Sequence, residues 1–215
     1  MAEHEHEHEH EHEHEDEDDL EHHHAREHEH RHEHDAEAAE QAAEREVRRR
    51  FALAQVRQYG DPVLRMRANE VETFDDELQR VAERMVALMH DAEGIGLAAT
   101  QVGILRRVFV FNHDGEDCVI VNPAITRLGE ETEIDEEGCL SLGPVRVPVE
   151  RSVEVTVEAQ DVAGAKLTLE LTGLLARVAQ HEIDHLEGTL SIDRTDPESR
   201  REALAALRPR VVLSG

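Results

Sequence analysis

Two histidines four residues apart, with a glutamate directly after the first, form the most chemically pointed stretch of this chain: His181-Glu182-Ile183-Asp184-His185. On an α-helix the two imidazoles stand about 40° apart in projection and one turn along the axis, so both can grip one ion. Glu182 falls within the same arc of about 100°. Leu174 and Val178 continue the stripe upstream, which predicts that this face points into the protein. A metal with a base beside it in a dry wall is what hydrolysis requires. The spacing by itself also occurs on ordinary helix surfaces. Two imidazoles leave a catalytic ion short of its usual third protein ligand. A histidine six residues past His185 would supply one, but position 191 is serine, and Glu187 follows too closely on the same helix to fold back. Cys139, within Glu137-Gly138-Cys139-Leu140-Ser141, is the better candidate, because Gly138 would let the backbone bend and aim a thiolate at an ion. A lone cysteine is more often a buried structural thiol, and that reading is kept for Cys118, which sits in an apolar run. A third segment, Gly94-Ile95-Gly96-Leu97-Ala98-Ala99-Thr100-Gln101, combines small residues that admit another backbone with an amide donor at Gln101. A helix C-cap would explain its glycines equally well.

These residues need elements to hold them. Thr73 followed by Asp76 resembles a capping box, and Leu78, Val81, Met85, Leu88 and Met89 recur at helical spacing until Gly94. The spacing predicts an amphipathic helix of about four turns. Short β-branched or aromatic runs follow at Val108–Phe111, Cys118–Val121, Val153–Val157 and Leu167–Leu171. The last two alternate apolar and polar residues, as a half-exposed antiparallel sheet does. A second helix is expected from about Gly173 to Leu186, ended by Gly188, and a charged one from Pro197 to about Leu207. Strands cluster between the helices and do not alternate with them, so the fold class reads as α+β. Tyr59-Gly60-Asp61-Pro62 marks a turn, and apolar residues begin to recur near Leu53.

A length of 215 residues sets one compact domain, or at most two small ones. The formal charge of −27 is lopsided, since residues 1–46 hold 20 acidic and only 3 basic side chains. Thirteen of the 17 histidines precede residue 35, starting with six Glu-His pairs from Glu3 to His14. With almost nothing apolar to bury, residues 1–46 are expected to be a disordered His/Glu-rich tail and linker, and residues 47–215 the catalytic domain. Ala36–Arg50, rich in helix formers, is either an exposed helix or linker. Dense imidazoles could bind extra divalent metal, while the alternating repeat also looks like an affinity tag or a solubilising arm. The acidity disfavours nucleic acid as a substrate, because binding it needs Lys and Arg on phosphates. No run of 18 apolar residues exists, so no membrane span is expected. No basic segment followed by an apolar one opens the chain, so no secretory signal is expected. Two cysteines make no disulfide framework, and free thiols in a reducing cytoplasm are the expectation.

Taken together, Gly94–Gln101, Glu137–Ser141 and Gln180–His185 resemble, in the same order, the three marks of the peptide deformylase family. Those are Gly-x-Gly-Leu-Ala-Ala-x-Gln, Glu-Gly-Cys-Leu-Ser and Gln-His-Glu-x-Asp-His. Tyr59-Gly60-Asp61-Pro62-Val63-Leu64-Arg65 is similar to the family's opening, and the likeness runs over about residues 53–207. It implies antiparallel sheets packed around a central helix that holds one metal ion through Cys139, His181 and His185. The implied ion is ferrous iron, with zinc, nickel or cobalt able to replace it. Glu182 would be the acid–base group, and Gln101 and the Leu140 N–H would face the developing oxyanion. Ile95 and Gly96 would pair with the substrate's main chain, and Val178 would wall the pocket for its methionine. Arg146 and Arg151 match positions where the family often has arginine and are either support for the site, contacts to the substrate backbone, or plain surface charge. The substrate implied is the N-terminal formyl-methionine of newly made polypeptides. Separately from the resemblance, Arg200, Arg201, Arg208 and Arg210 make the segment 197–210 a candidate contact for the ribosome. A general metalloendopeptidase shares His-Glu-x-x-His but lacks a use for Cys139. A metal-handling protein working through its tail would have no use for the set Gln101, Cys139, His181, Glu182 and His185.

Overall fold

The computed structural model describes residues 37–208. The expected disorder of the tail, and metal binding by its histidines, concern residues 1–36 and lie outside the described residues. The chain divides into two compact units, Met1–Val47 and Arg48–Gly215. In the first, residues 37–47 are helical and exposed, the helical alternative for that stretch. In the second, helical backbone over 48–53 leads to Ala52 and Val56, the first fully buried apolar side chains.

Helix α1 (Asp76–Asp91) buries Leu78, Ala82, Met85, Leu88 and Met89 at the spacing of one helical face. Its cap differs from expectation. Asp75, not Thr73, is the N-cap, its carboxylate accepting the Leu78 N–H at 3.0 Å. The other end differs too: the left-handed residue is Glu93, with φ of 57°, not Gly94. Gly94 is small for another reason, since a Cβ there would sit 3.0 Å from the Leu140 Cδ1.

Strands β1 (Gly96–Ala98), β2 (Val108–His113), β3 (Glu116–Leu128), β6 (Glu154–Gln160) and β7 (Lys166–Thr172) form an antiparallel sheet in the order β1-β2-β3-β6-β7. Strands β4 (Thr132–Gly138) and β5 (Arg146–Ser152) pair separately, also antiparallel. The run Val108-Phe109-Val110-Phe111 is apolar at every position because this sheet is covered on both faces. Phe109 and Phe111 pack with Ala176, Val178, Ile183 and Leu186 of helix α2 (Gly173–Leu186), while Val108 and Val110 pack with Leu78, Met85, Leu88 and Met89 of α1. A third core joins Cys139, Leu142, Val147 and Val149 to Leu190, Ile192 and Ala203, the last from helix α3 (Pro197–Ala206). The mixed helix and antiparallel-sheet fold therefore holds. Among the described residues no helix is long and apolar enough to cross a membrane.

Strands β1, β4 and β5 have no strand signature in the sequence. β1 is three small residues, and β4 reads Thr-Glu-Ile-Asp-Glu-Glu-Gly with Ile134 68% exposed. Pro148 interrupts β5, which is tolerated because β5 has a partner on one side only. The expectation for Leu174 also fails: it is 58% exposed, and the burial of α2 begins at Ala176.

Asp193 ties the segment before α3 to the N-terminal turn. It accepts hydrogen bonds from Arg65, from the Leu190 N–H at 2.9 Å, and pairs with Arg200 at 3.1 Å. Burial pushes its carboxyl up, but those partners outweigh burial and hold it below the usual carboxylate range. A group depressed in the folded state stabilises above its unfolded pKa and loses that contribution as pH falls through the folded one. Asp193→Asn should therefore cost roughly 1–2 kcal/mol at pH 7, and the gap should narrow as pH falls below about 4. Thermal melts of both proteins from pH 7 to pH 3 check this, and a gap constant over that range would contradict it.

Candidate metal centre

Cys139 follows directly on β4, in extended backbone, and serves as N-cap of a single 3-10 turn, Leu140–Leu142. Its Sγ lies 3.2 Å from His185 Nε2, and the donor atoms of Cys139, His181 and His185 all lie within 4.8 Å of one another. Three such donors around one ion at about 2.0–2.3 Å would stand roughly 3–4 Å apart. The set fits an ion, and a thiolate with two imidazoles suits iron, zinc or other borderline divalent metals. Gly138 does not provide the bend expected of it. It closes the β4–β5 register opposite Arg146, and a Cβ there would lie 3.2 Å from the Arg146 Nη1.

Helix α2 carries Glu182 to the same place, with its side chain buried and Oε2 without a hydrogen-bond partner among the described residues. A buried carboxylate oxygen left open is costly unless something else uses it. Burial pushes the Glu182 carboxyl up to about 7, against the lowering influence of His181. Gly96 is glycine because a Cβ there would fall 2.6 Å from Glu182 Oε1. Strand β1 is thus pressed against the carboxylate, and among the described residues its far edge has no partner strand because it ends the sheet. Ile95, just before it, is 48% exposed and its carbonyl accepts the Asn112 N–H at 3.0 Å.

Gln101 sits in a buried 3-10 turn, Ala99–Val102. Its Oε1 accepts the Ala98 N–H at 2.8 Å, which fixes the amide so that Nε2 points at Ser141 Oγ (3.2 Å) and Cys139 Sγ (3.6 Å). Leu140 is the first residue of its turn, so its N–H has no partner within that turn. Gln101, Cys139, Leu140, Glu182 and both histidines are therefore gathered by three separate segments. Val178 is 8% exposed, in the core under the sheet.

Arg151 is buried and grips Glu137 through two hydrogen bonds of 2.9 and 3.1 Å, and Asp184 through one of 2.6 Å. It is support for the site, not surface charge. Arg146 is exposed and donates to the Glu136 carbonyl at 3.0 Å. Glu137 accepts from His181 Nδ1 at 2.9 Å and from Arg177 at 3.0 Å. Burial would push the Glu137 carboxyl up, yet hydrogen bonds from His181 and Arg151 and their charges bring it down to about 2. Burial likewise opposes the His181 imidazolium, but Cys139, Glu137 and Glu182 outweigh it and raise the group well above its ordinary value. His185 is held well below its ordinary value by burial and by the positive charges of His181 and Arg151. Reading the sequence for ligands misses Glu137, Arg177, Asp184 and Ser141 as site residues. Glu137 and Asp184 lie inside two of the three motifs, and that position is the one signal in the sequence that points to them.

The model of the family Polypeptide deformylase matches residues 53–201. A peptide deformylase of Thermotoga neapolitana is 50% identical over 145 residues, spanning 67% of this chain and 88% of that protein. Peptide deformylase 1 of Corynebacterium efficiens is 45% identical over 157 residues, spanning 71% and 93%. Among solved structures, a peptide deformylase from Synechococcus elongatus in complex with actinonin superposes with a TM-score of 0.68 at 40% identity, covering 70% of this chain and 85% of that one. The peptide deformylase of Thermotoga maritima gives 0.65 at 46% identity, covering 66% and 97%. With the family model matched across both the sheet and the Cys–His–His cluster, this chain belongs to the polypeptide deformylases, metal-dependent hydrolases that remove the formyl group from the N-terminal methionine of new polypeptides.

Proposed function

We propose that residues 47–215 form the catalytic domain, that Cys139, His181 and His185 hold one Fe2+ ion, with Zn2+, Ni2+ or Co2+ able to replace it, and that Glu182, Gln101 and Leu140 carry the reaction. The observation that bears most on this is the convergence of three ligand donors within 4.8 Å beside a buried, partnerless oxygen of Glu182. When bound, the ion would supply a positive charge that polarises the formyl carbonyl and acidifies water. Glu182 takes the proton of the attacking water as oxygen bonds to the formyl carbon. It returns that proton to the amine nitrogen as the C–N bond breaks and formate leaves. A carboxyl near neutrality suits both halves of that transfer. The Gln101 Nε2 and the Leu140 N–H face the oxygen on which negative charge develops, and one such donor is worth ~3 kcal/mol. The peptide adds as a strand along the open edge beside Ile95 and Gly96, and Val178 contributes to the wall of the methionine pocket.

The protein works in the cytoplasm on nascent chains, and α3, with Arg200 and Arg201, is the surface offered to the ribosome. Residues 1–46 stand outside the catalytic machinery, and their imidazoles bind further divalent ions more weakly than the Cys139, His181 and His185 site.

Glu182→Gln keeps the volume but cannot accept the proton, so the metal-loaded variant should lose about 10²-fold or more in turnover. Formate release from a formyl-Met peptide at equal metal content measures this, and a near-native rate would remove Glu182 from the role. Cys139 beside ferrous iron is open to oxidation toward sulfenic and sulfinic acid. Activity should fade in air for the iron form and persist for the zinc and nickel forms, with the thiol modification read by mass spectrometry. Equal lifetimes for all three would argue against a thiolate ligand. Deleting residues 1–46 should remove weakly held ions and leave one tight ion with full activity. Metal analysis with the same formate assay decides, and loss of the tight ion would place the tail in the site.

A further inference from the structure

The carboxylate of Glu137 uses all of its acceptor capacity on charged or ring donors. Oε1 takes Arg151 Nε at 2.9 Å and Arg177 Nη1 at 3.0 Å, while Oε2 takes Arg151 Nη2 at 3.1 Å and His181 Nδ1 at 2.9 Å. Its side chain is 4% exposed, and those of Arg151 and Arg177 are 6% and 10% exposed. With two guanidiniums on its oxygens Glu137 is a carboxylate that only accepts, so the His181 Nδ1 it faces carries the proton. The other ring nitrogen is then the one left for Cys139 and a shared ion. Arg177 is itself fixed, donating to the Val149 carbonyl at 2.8 Å and the Glu133 carbonyl at 2.8 Å. Arg151 is fixed from its far end by Asp184, which Arg194 also holds at 2.6 Å. By contrast the Nδ1 of His185 has no partner among the described residues. The two histidines are thus not equivalent.

We propose that Glu137, clamped between Arg151 and Arg177, is a positioning residue that fixes the ring of His181, so that His181 is the anchored imidazole of the metal site, while the Nδ1 of His185 has no such partner among the described residues. The inference rests on the metal-site reading above. A carboxylate bound to the far nitrogen of a ligating histidine both orients the ring and raises its basicity, and removing such a partner typically costs 10–100-fold in metal affinity.

The test is zinc dissociation, followed by chelator competition on the full-length zinc-loaded protein, together with the exchange rate of the His181 Nδ1 proton by NMR. Glu137→Gln should release zinc about 10–100-fold faster, and the Nδ1 proton should exchange faster. Asp193→Asn is the control, since it removes a carboxylate from the Arg65 and Arg200 pairs without touching an imidazole of the site. It should lower the melting temperature and leave zinc release within about twofold of native. Should Glu137→Gln fail to fold, Glu137→Asp keeps the charge for both arginines, draws the carboxylate back from His181 and is read the same way. Unchanged zinc release with an equally protected Nδ1 proton in the Glu137 variant would overturn the proposal, as would equal acceleration in Asp193→Asn. If the native protein holds no tight zinc, the metal-site reading itself fails, a result separate from both.

Discussion

Four charged side chains are buried where β4, β5 and α2 meet: Glu137, Arg151, Arg177 and Asp184. An unpaired charge in such a place costs several kcal/mol, so these groups must find each other or the region does not close. Two carboxylates and two guanidiniums balance, and the geometry that balances them is restrictive. Glu137 must sit opposite Val147 in the β4–β5 register, with Arg151 reaching both it and Asp184 one turn past the first histidine. A slip of one residue in β4 would turn Glu137 to solvent and leave Arg151 half-paired. The register that satisfies the charges is also the one that sets Cys139, two residues on, against His185.

The double-covered sheet does the complementary task from the other side. β2 is sandwiched between α1 and α2, and β1 is carried on its edge, pairing Gly96 with Phe111 and Ala98 with Phe109. That pairing delivers Gly96 to the Glu182 carboxylate at a separation no side chain would allow. It also delivers Gln101, whose orientation is set by a hydrogen bond from the strand it follows. Close packing of small residues, not flexibility, is what brings an unpaired strand edge alongside a buried acid.

The electrostatics follow from burial combined with a fixed set of partners. Glu137 and Glu182 are both buried glutamates beside the same histidine, Glu137 across 2.9 Å from His181 Nδ1 and Glu182 next to it in the chain. One is driven down to about 2 by hydrogen bonds from His181 and Arg151, and the other up to about 7 by desolvation. The first is locked as a structural anion and the second is free to exchange a proton near neutrality. Two like residues take opposite roles because one has guanidinium partners and the other has an open oxygen.

The sequence by itself determined the family and offered a candidate ligand set and acid–base residue, because those depend on residue types at fixed local spacing. His181, Glu182 and His185 lie on one helix whose extent, Gly173 to Leu186, is legible from its periodicity and its flanking glycines. The four apolar strand cores were legible for the same reason. Only the tertiary structure decided that β1, β4 and β5 are strands, since Gly-Leu-Ala, an acidic heptapeptide and a proline-bearing segment are held extended by their neighbours and not by their own propensity. It alone decided that Leu174 is exposed while Val178 is buried, because a stripe does not say where along a helix the sheet begins to cover it. It alone showed Glu137, Arg177 and Asp184 to be partners of the site, because pairing between charges as far apart as residues 137, 151 and 177 depends on which strands register and which helix crosses them. Spacing along a chain fixes what one element can present, and burial fixes what it must face.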